Sequence, residues 1–403
     1  MKFLVVAPQP FFSARGTPFS VYYRTQVTCE LGHDVDLLTY GQGVDVDIPG
    51  CRIKRIPAFR WLGPIRTGPS LQKLFLDGFM IAWTIGLLLR HRYDIVHAHE
   101  EAVFWCRWLK PLFRFRLVYD MHSSLPQQLI NFEFTRSRVL YKVFEKLETG
   151  AVRTADAVIA ICPALKAYAK ALTADEKIVL IENSLCDTVK FRVNGPDPDR
   201  ANTGRFTIAD YLPGLQHWMG GRDPEKIIAY AGTLEAYQGI DRLLAAFAIV
   251  AARMPDAGLL IVGGLPREVE RFRSLADKLG IADSVHFTGQ VPQPDAQRLV
   301  GLAGASISPR FAGNNTPMKI YQLMAAGIPI VATRIESHTQ ILNDEISILS
   351  ETTTEALADA MTRVLTDREG SRAMGERAQA WYGEQYSRTA YTAKMQKLLS
   401  LVS

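Results

Sequence analysis

Cysteine is scarce in this sequence and scattered. The five residues are Cys29, Cys51, Cys106, Cys162 and Cys186, and no two lie close together. An odd, dispersed set suits neither a disulfide framework nor a zinc site, and it fits a reducing compartment. Long apolar runs are missing too. The longest uncharged one, Gly78 to Leu89, has 12 residues, whereas a bilayer span takes about 20. No signal-peptide pattern is visible: Met1-Lys2 leads into PheLeuValVal and a loop with prolines, without a small-residue cleavage site. Low-complexity tracts and internal repeats are absent as well. A fibrous or disordered chain is excluded, and the expected location is the cytoplasm.

What is present is ordinary globular composition over 403 residues, with 48% hydrophobic and 22% charged. That length predicts two or three domains. The net charge of +5 is uneven, because residues 51–150 hold 16 Lys/Arg and 8 Asp/Glu, so 16 − 8 = +8, leaving −3 elsewhere. A basic first half predicts an anionic partner: lipid headgroups, phosphorylated substrates or nucleic acid.

Short β-branched runs alternate with helical patterns. Strands are predicted at 2–7, 35–39, 95–98, 117–121, 157–161 and 178–182, and helices at 18–31, 70–90, 136–153 and 163–172. Residues 193–224 are rich in Gly and Pro and read as a linker or insertion. Alternation resumes with strands at 227–232, 259–264, 285–289, 305–308 and 328–333, and the tail from about 352 is helical. The pattern predicts two doubly wound α/β domains in tandem, which bind ligands beyond the carboxyl ends of their strands.

The candidate sites cluster at those ends. Gly16 precedes Thr17-Pro18, where Thr17 would cap the first helix and its amides could hold an anion. AspIleValHisAlaHisGluGlu ends a strand with His97, His99, Glu100 and Glu101, and ArgLeuValTyrAspMetHis ends another with Asp120 and His122. His97 and His99 share a strand face, yet no third ligand has metal-site spacing, so no metal is predicted. His122 can act as a donor or base toward a substrate, or be a satisfied structural histidine. Helix 70–90 is unusually apolar and is flanked by Arg60, Arg66, Lys73, Arg90 and Arg92, with Phe59, Trp61 and Trp83 nearby. Together with Trp105, Trp108 and the basic residues of 105–116, it is either a buried helix or an interfacial one. The segment 307–333 reads as a helix capped by Thr316 with Pro317 first, ended by Gly327, and followed by a strand. Its free amides form a ready diphosphate site.

Here the sequence resembles the retaining GT-B glycosyltransferases of family 4. Their motif S-P-x-K-x-x-E-x-M-A-x-G-x-P-V-V-A is similar to ThrProMetLysIleTyrGlnLeuMetAlaAlaGlyIleProIleValAla, and CysGluLeuGlyHisAspVal (29–35) and the segment 230–247 resemble further family motifs in the expected order. The resemblance implies a GT-B fold: two doubly wound parallel-sheet, Rossmann-like domains facing a central cleft. Residues 1–190 would be the acceptor domain, with a last helix from about 388 packing back on it. Residues 191–225 would be the linker and 226–387 the nucleotide-sugar domain. It implies metal-independent transfer with retention from a nucleotide-sugar donor, UDP- or GDP-linked, without a cofactor.

By the same resemblance His122 is the active-site histidine. Gly16, Gly289 and Val291 frame the donor, and Asn315, Thr316 and Pro317 lie at its diphosphate. Thr17, His99 and Glu100 belong to the acceptor side. The sequence departs from the family at four positions. Asn314 and Gln322 stand where two glutamates are common, and Thr233 and Gln238 stand where Arg and Lys neutralise the diphosphate. Arg310 and Lys319 are the compensating cations within reach. The expected acceptor is a lipid, a lipid-linked molecule or a glycan at the inner face of the cell membrane, with 59–92 and 105–116 touching anionic lipid and no nucleic acid bound. A binding module without transferase activity and a GT-B sugar-nucleotide epimerase remain as alternatives.

Overall fold

The structure, a computed structural model, describes residues 1–13, 16–63, 65, 70–124, 138–185 and 208–403. The chain divides into two compact units. One holds Met1–Asn183 with Arg388–Ser403, and the other holds the described residues from 208 to Ser387, with Ser184.

The first unit is a seven-stranded parallel sheet in the order β3-β2-β1-β4-β5-β6-β7. Its strands are β1 (Lys2–Ala7), β2 (Asp34–Thr39), β3 (Cys51–Arg55), β4 (Ile95–His99), β5 (Arg116–Met121), β6 (Ala157–Ala160) and β7 (Ile178–Leu180). The central strands are buried on both faces and are correspondingly apolar. Helices α2 (Leu71–Arg90), α3 (Ala102–Phe113), α4 (Arg138–Thr154) and α5 (Pro163–Lys170) cover one face. Helices α1 (Gly16–Glu30) and α14 (Arg388–Val402) cover the other. An ion pair between Arg388 and Glu30 at 2.6 Å and another between Lys394 and Glu182 at 2.6 Å tie α14 down.

The second unit is a six-stranded parallel sheet in the order β10-β9-β8-β11-β12-β13. Its strands are β8 (Ile227–Ala231), β9 (Gly258–Val262), β10 (Val285–Gly289), β11 (Ala305–Ser308), β12 (Ile330–Thr333) and β13 (Ile348–Ser350). Its helices are α6 (Ile208–Met219), α7 (Ile240–Arg253), α8 (Pro266–Lys278), α9 (Gln293–Val300), α10 (Met318–Ala326), α11 (Glu336–Thr339), α12 (Thr354–Thr366) and α13 (Arg368–Gln385).

Three features differ from the sequence reading. Strands β3 and β13 were not foreseen. The assignment of 191–225 to a linker is corrected at its end, where α6 runs through residues that include Pro213 and Gly214. Leu215 of α6 is buried in the core of the second unit, and Trp218 lies against Gly258 while its Nε1–H donates to the Asp283 carbonyl at 3.0 Å. That tertiary packing outweighs the local breaker signal. Residues 191–207 of the segment, and Cys186 before it, lie outside the described residues. The first helix begins at Gly16, so Thr17 is a residue of its first turn and not its cap.

Candidate functional site

In each sheet the strand order reverses once, between β1 and β4 in the first unit and between β8 and β11 in the second. Connections from the two neighbouring strands leave in opposite directions there, which opens a crevice at their carboxyl ends.

In the second unit the loop after β8 and the start of α10 converge at that point. The Nζ of Lys319, in the first turn of α10, has no hydrogen-bond partner among the described residues. It sits 4.1 Å from the centre of the Tyr230 ring at the end of β8. Burial, then the neighbouring Arg310, pushes the amine down to about 7. Arg310 donates to the Ala312 carbonyl at 2.5 Å and to the Asn315 carbonyl at 3.1 Å, and its guanidinium lies 5.0 Å from the Tyr237 ring. Two neighbouring cations therefore lie at the start of α10, and among the described residues neither has an ion-pair partner. An anion would satisfy both and the helix start. Behind them His338 is buried, bonded to the Ser308 hydroxyl at 2.9 Å and the Thr333 carbonyl at 2.8 Å. Burial holds it at about 4, so it is neutral.

Glycine lets the neighbouring strand ends approach. A Cβ on Gly263, whose φ is 115°, would stand 2.2 Å from the Gly232 carbonyl oxygen. Gly263→Ala is expected to cost about 2 kcal/mol or more, from backbone strain and overlap together. Urea unfolding of the variant checks this, and an unchanged midpoint would refute it.

In the first unit β4 and β5 stack three imidazoles. The rings of His97 and His99 are 4.6 Å apart and nearly parallel, and those of His99 and His122 are 5.3 Å apart. His99 Nδ1 and His122 Nε2 share a hydrogen bond of 3.0 Å. All three lie against Asp120, with His97 at 3.0 Å and the other two at 3.3 Å. Arg24 of α1 closes the cluster, with Nε 3.1 Å from the carboxylate and its Nη2 donating to the Ile181 carbonyl at 2.9 Å. Burial would raise the Asp120 carboxyl, but Arg24 and the histidines hold it well below its usual range. Burial pushes His122 down to about 4 and His99 well below its ordinary value. The cluster is thus one ion pair beside two imidazoles, His99 and His122, that stay neutral.

Beside it Glu100 adopts a left-handed φ of 48°, unusual for a residue with a side chain. Burial raises its carboxyl to about 7. Lys73 reaches Glu101 at 3.1 Å, and the Tyr40 hydroxyl donates to Asp77 at 2.7 Å.

Two family models match this chain: "Glycosyl transferases group 1" over residues 219–381, and "Glycosyl transferase 4-like domain" over residues 26–184. The chain belongs to the group 1 glycosyltransferases. It is 25% identical over 350 residues to an uncharacterized glycosyltransferase of Methanocaldococcus jannaschii, covering 83% of this chain and 81% of that one. A GDP-mannose-dependent alpha-(1-6)-phosphatidylinositol monomannoside mannosyltransferase of Mycobacterium tuberculosis is 29% identical over 170 residues, 40% of this chain and 44% of that enzyme. The structure of HepE of Anabaena in complex with UDP superposes with a TM-score of 0.71 at 16% identity, covering 99% of this chain and 100% of that one. The fold of this glycosyltransferase is GT-B, with two parallel-sheet, Rossmann-like units.

Within this glycosyltransferase the site residues expected from sequence are distributed as follows. His99, Glu100 and His122 meet at the carboxyl ends of β4 and β5. Gly16 and Thr17 open α1. Arg310, Asn315 and Lys319 gather at α10. Thr316 is not the cap of α10: Pro317 occupies that position without a side-chain bond, and the Thr316 hydroxyl is buried without a partner among the described residues. The exposed Thr233 turns its hydroxyl to Glu235 at 3.1 Å, while the buried Gln238 keeps an unpartnered Oε1. Asn314 receives the Gln340 amide on its carbonyl at 2.7 Å, and Gln322 is half-buried on α10. Gly289 ends β10 with a φ of 71°, and Val291 packs into the core nearby. Arg24 and His338 went unforeseen.

The ligand atoms of His97, His99 and Asp120 lie within 4.8 Å of one another. Asp120 is the third partner that sequence spacing did not reveal, since it comes from the neighbouring strand. The geometry nonetheless suits an ion pair better than a metal. The buried Arg24 guanidinium already neutralises Asp120 and would repel a second cation.

Proposed function

We propose that this glycosyltransferase moves a sugar from a UDP- or GDP-linked donor held by the second unit to a lipid, lipid-linked or glycan acceptor held by the first. The anomeric configuration is retained, and neither a metal nor a cofactor takes part. The observation that carries the reading is the unpartnered Lys319 ammonium at the reversal point of the second sheet, against the first turn of α10. Lys319 and Arg310 supply the positive charge that Thr233 and Gln238 do not. They stabilise the departing diphosphate, where charge develops in the transition state. The departing phosphate oxygen takes the proton of the acceptor hydroxyl as the new glycosidic bond forms. His122, neutral above about pH 4, is the histidine that the family resemblance gives to the active site, and a neutral imidazole can offer a substrate a hydrogen bond without adding positive charge. The UDP bound by HepE and the GDP-mannose and phosphatidylinositol mannoside of the M. tuberculosis enzyme support the donor and acceptor classes.

A thermal-shift panel of UDP, GDP, ADP, CDP and dTDP with their sugar conjugates identifies the donor, because a ligand at about 100 times Kd stabilises by roughly 2.7 kcal/mol. With that donor, His122→Ala is expected to lower kcat about ten- to a hundredfold while the donor still shifts the melting temperature. Proton NMR of the product reads the anomer. A flat panel in folded protein, or full activity in the variant, would overturn this reading, and sugar conversion without any acceptor would replace transfer with epimerisation.

A further inference from the structure

Helix α2 inverts the usual arrangement of a surface helix. Leu76, Met80, Thr84, Leu87 and Leu88 pack inward on the sheet. The opposite side carries Leu71, Leu74, Phe75 and Leu89, and Trp83 stands at the flank of the inward stripe, all exposed. The charged side chains of 71–89 are Lys73 and Asp77, and both turn away from solvent, to Glu101 and Tyr40. Gln72 and Thr84 are likewise bonded within the unit, to the carbonyls of Leu62 and Met80. The outward side of a 20-residue helix is therefore left apolar, where an ordinary amphipathic helix is polar.

Neighbouring elements extend the surface. Trp61, Leu71, Leu74, Leu89, Trp108 and Leu112 are between 64% and 80% exposed. Phe59, Trp61, Phe75, Phe79 and Trp83 form a chain of ring contacts along it. At the other end, Arg90, Arg92 and Arg114 are exposed and have no acidic partner among the described residues.

We infer that this face of α2 and α3, with Trp61, seats in the headgroup–acyl boundary of an anionic bilayer. Length and composition alone would allow α2 to cross a membrane, but its inward stripe is part of the core of the first unit, so it lies along the surface. Apolar and aromatic side chains enter the boundary, and the unpaired arginines meet lipid phosphates. The patch also reaches the acceptor end of the first sheet, because Lys73 of α2 is paired with Glu101, next to Glu100. A lipid acceptor would thus arrive from the membrane beside β4. This last step rests on the proposed function, whereas the seat itself does not.

The test is flotation of the whole chain with phosphatidylcholine vesicles and with mixed phosphatidylcholine–phosphatidylglycerol vesicles, at low and high salt. Wild-type protein is expected to float with the anionic vesicles, less so at high salt. Leu71→Glu with Leu89→Glu, both exposed, is expected to lower the partition coefficient on the order of a hundredfold with an unchanged melting temperature. Arg90→Glu with Arg92→Glu should remove most of the salt dependence. Failure of wild type to float at low salt, or equal flotation of the leucine variant, would overturn the inference. So would a dimer, seen by light scattering, that the leucine variant dissociates while wild type ignores vesicles. Failed flotation with an intact nucleotide shift sinks only the membrane seat, and flotation without nucleotide binding or transfer sinks only the proposed function.

Discussion

Lys319→Met is expected to make the free protein more stable and the donor complex far weaker. The lysine's proton affinity falls from the ordinary 10.5 to about 7 on folding, through burial and then Arg310. Between those values the unfolded chain binds more protons than the folded one, so the stability of this unit should rise with pH from about 7 to 10.5. Below 7 the folded chain carries the full cost of a buried, unpaired ammonium. A thioether of similar length removes that cost, and the expected gain is on the order of 2–4 kcal/mol at neutral pH. Nucleotide binding should move oppositely. A diphosphate that loses a desolvated ammonium loses about 3 kcal/mol, roughly a hundredfold in Kd. Wild-type affinity for a nucleotide-sugar, whose phosphates do not titrate in this range, should fall above about pH 7 by up to tenfold per unit. Lys319→Arg should flatten that profile, since a guanidinium keeps its charge. Calorimetric titration across pH, with thermal melts of the free variants, measures both arms. Unchanged affinity in Lys319→Met would remove Lys319 from the donor site.

The sequence showed this region because its signals were local. A cap-like Thr-Pro, an amphipathic stretch, a terminating Gly327 and an apolar strand mark the approach to β12, and Gly327 does end α10 in a left-handed conformation with a φ of 68°. Interior strands were legible for the same reason, as continuous apolar runs. The strands that escaped notice, β3 and β13, are edges of their sheets. CysArgIleLysArg is polar because an edge must not invite another strand, so it lacks the pattern that reveals a strand. Helix α6 was hidden by Pro213 and Gly214, and only its packing explains it. At the first-unit site the strand-end histidines were visible as motifs, and their mutual geometry was not. Register places His99 opposite Asp120, a fact that no spacing along one strand encodes. Arg24 was the least legible. It lies mid-helix among polar and aromatic neighbours, and nothing local marks it as wholly buried. Its partner is on a distant strand.

Arg24→Ala is expected to destabilise the first unit by about 3–5 kcal/mol, because it strands a buried carboxylate without its counter-charge. Both side chains of the pair are fully shielded from solvent. Asp120→Asn should cost a comparable amount, because it strands the buried guanidinium in turn, although its amide oxygen can still accept from Arg24. Arg24→Met combined with Asp120→Asn should recover part of the stability lost by Arg24→Met alone, giving a coupling energy of about 1–3 kcal/mol in a double-mutant cycle. Arg24→Lys should not rescue. A single ammonium cannot reach Asp120, the Ile181 carbonyl and Asn183 together, as the guanidinium does. A purely structural role would end there, but Arg24 also lowers the proton affinity of His122. Where the variant still folds, His122 should protonate at higher pH than in wild type, and the acid limb of the transfer rate should move up with it. Chemical unfolding and a pH–rate profile on the same variants separate the two effects. A stability loss without a moved acid limb would leave Arg24 as a structural counter-ion alone, and no stability loss would show that Asp120 is compensated by the three imidazoles without it.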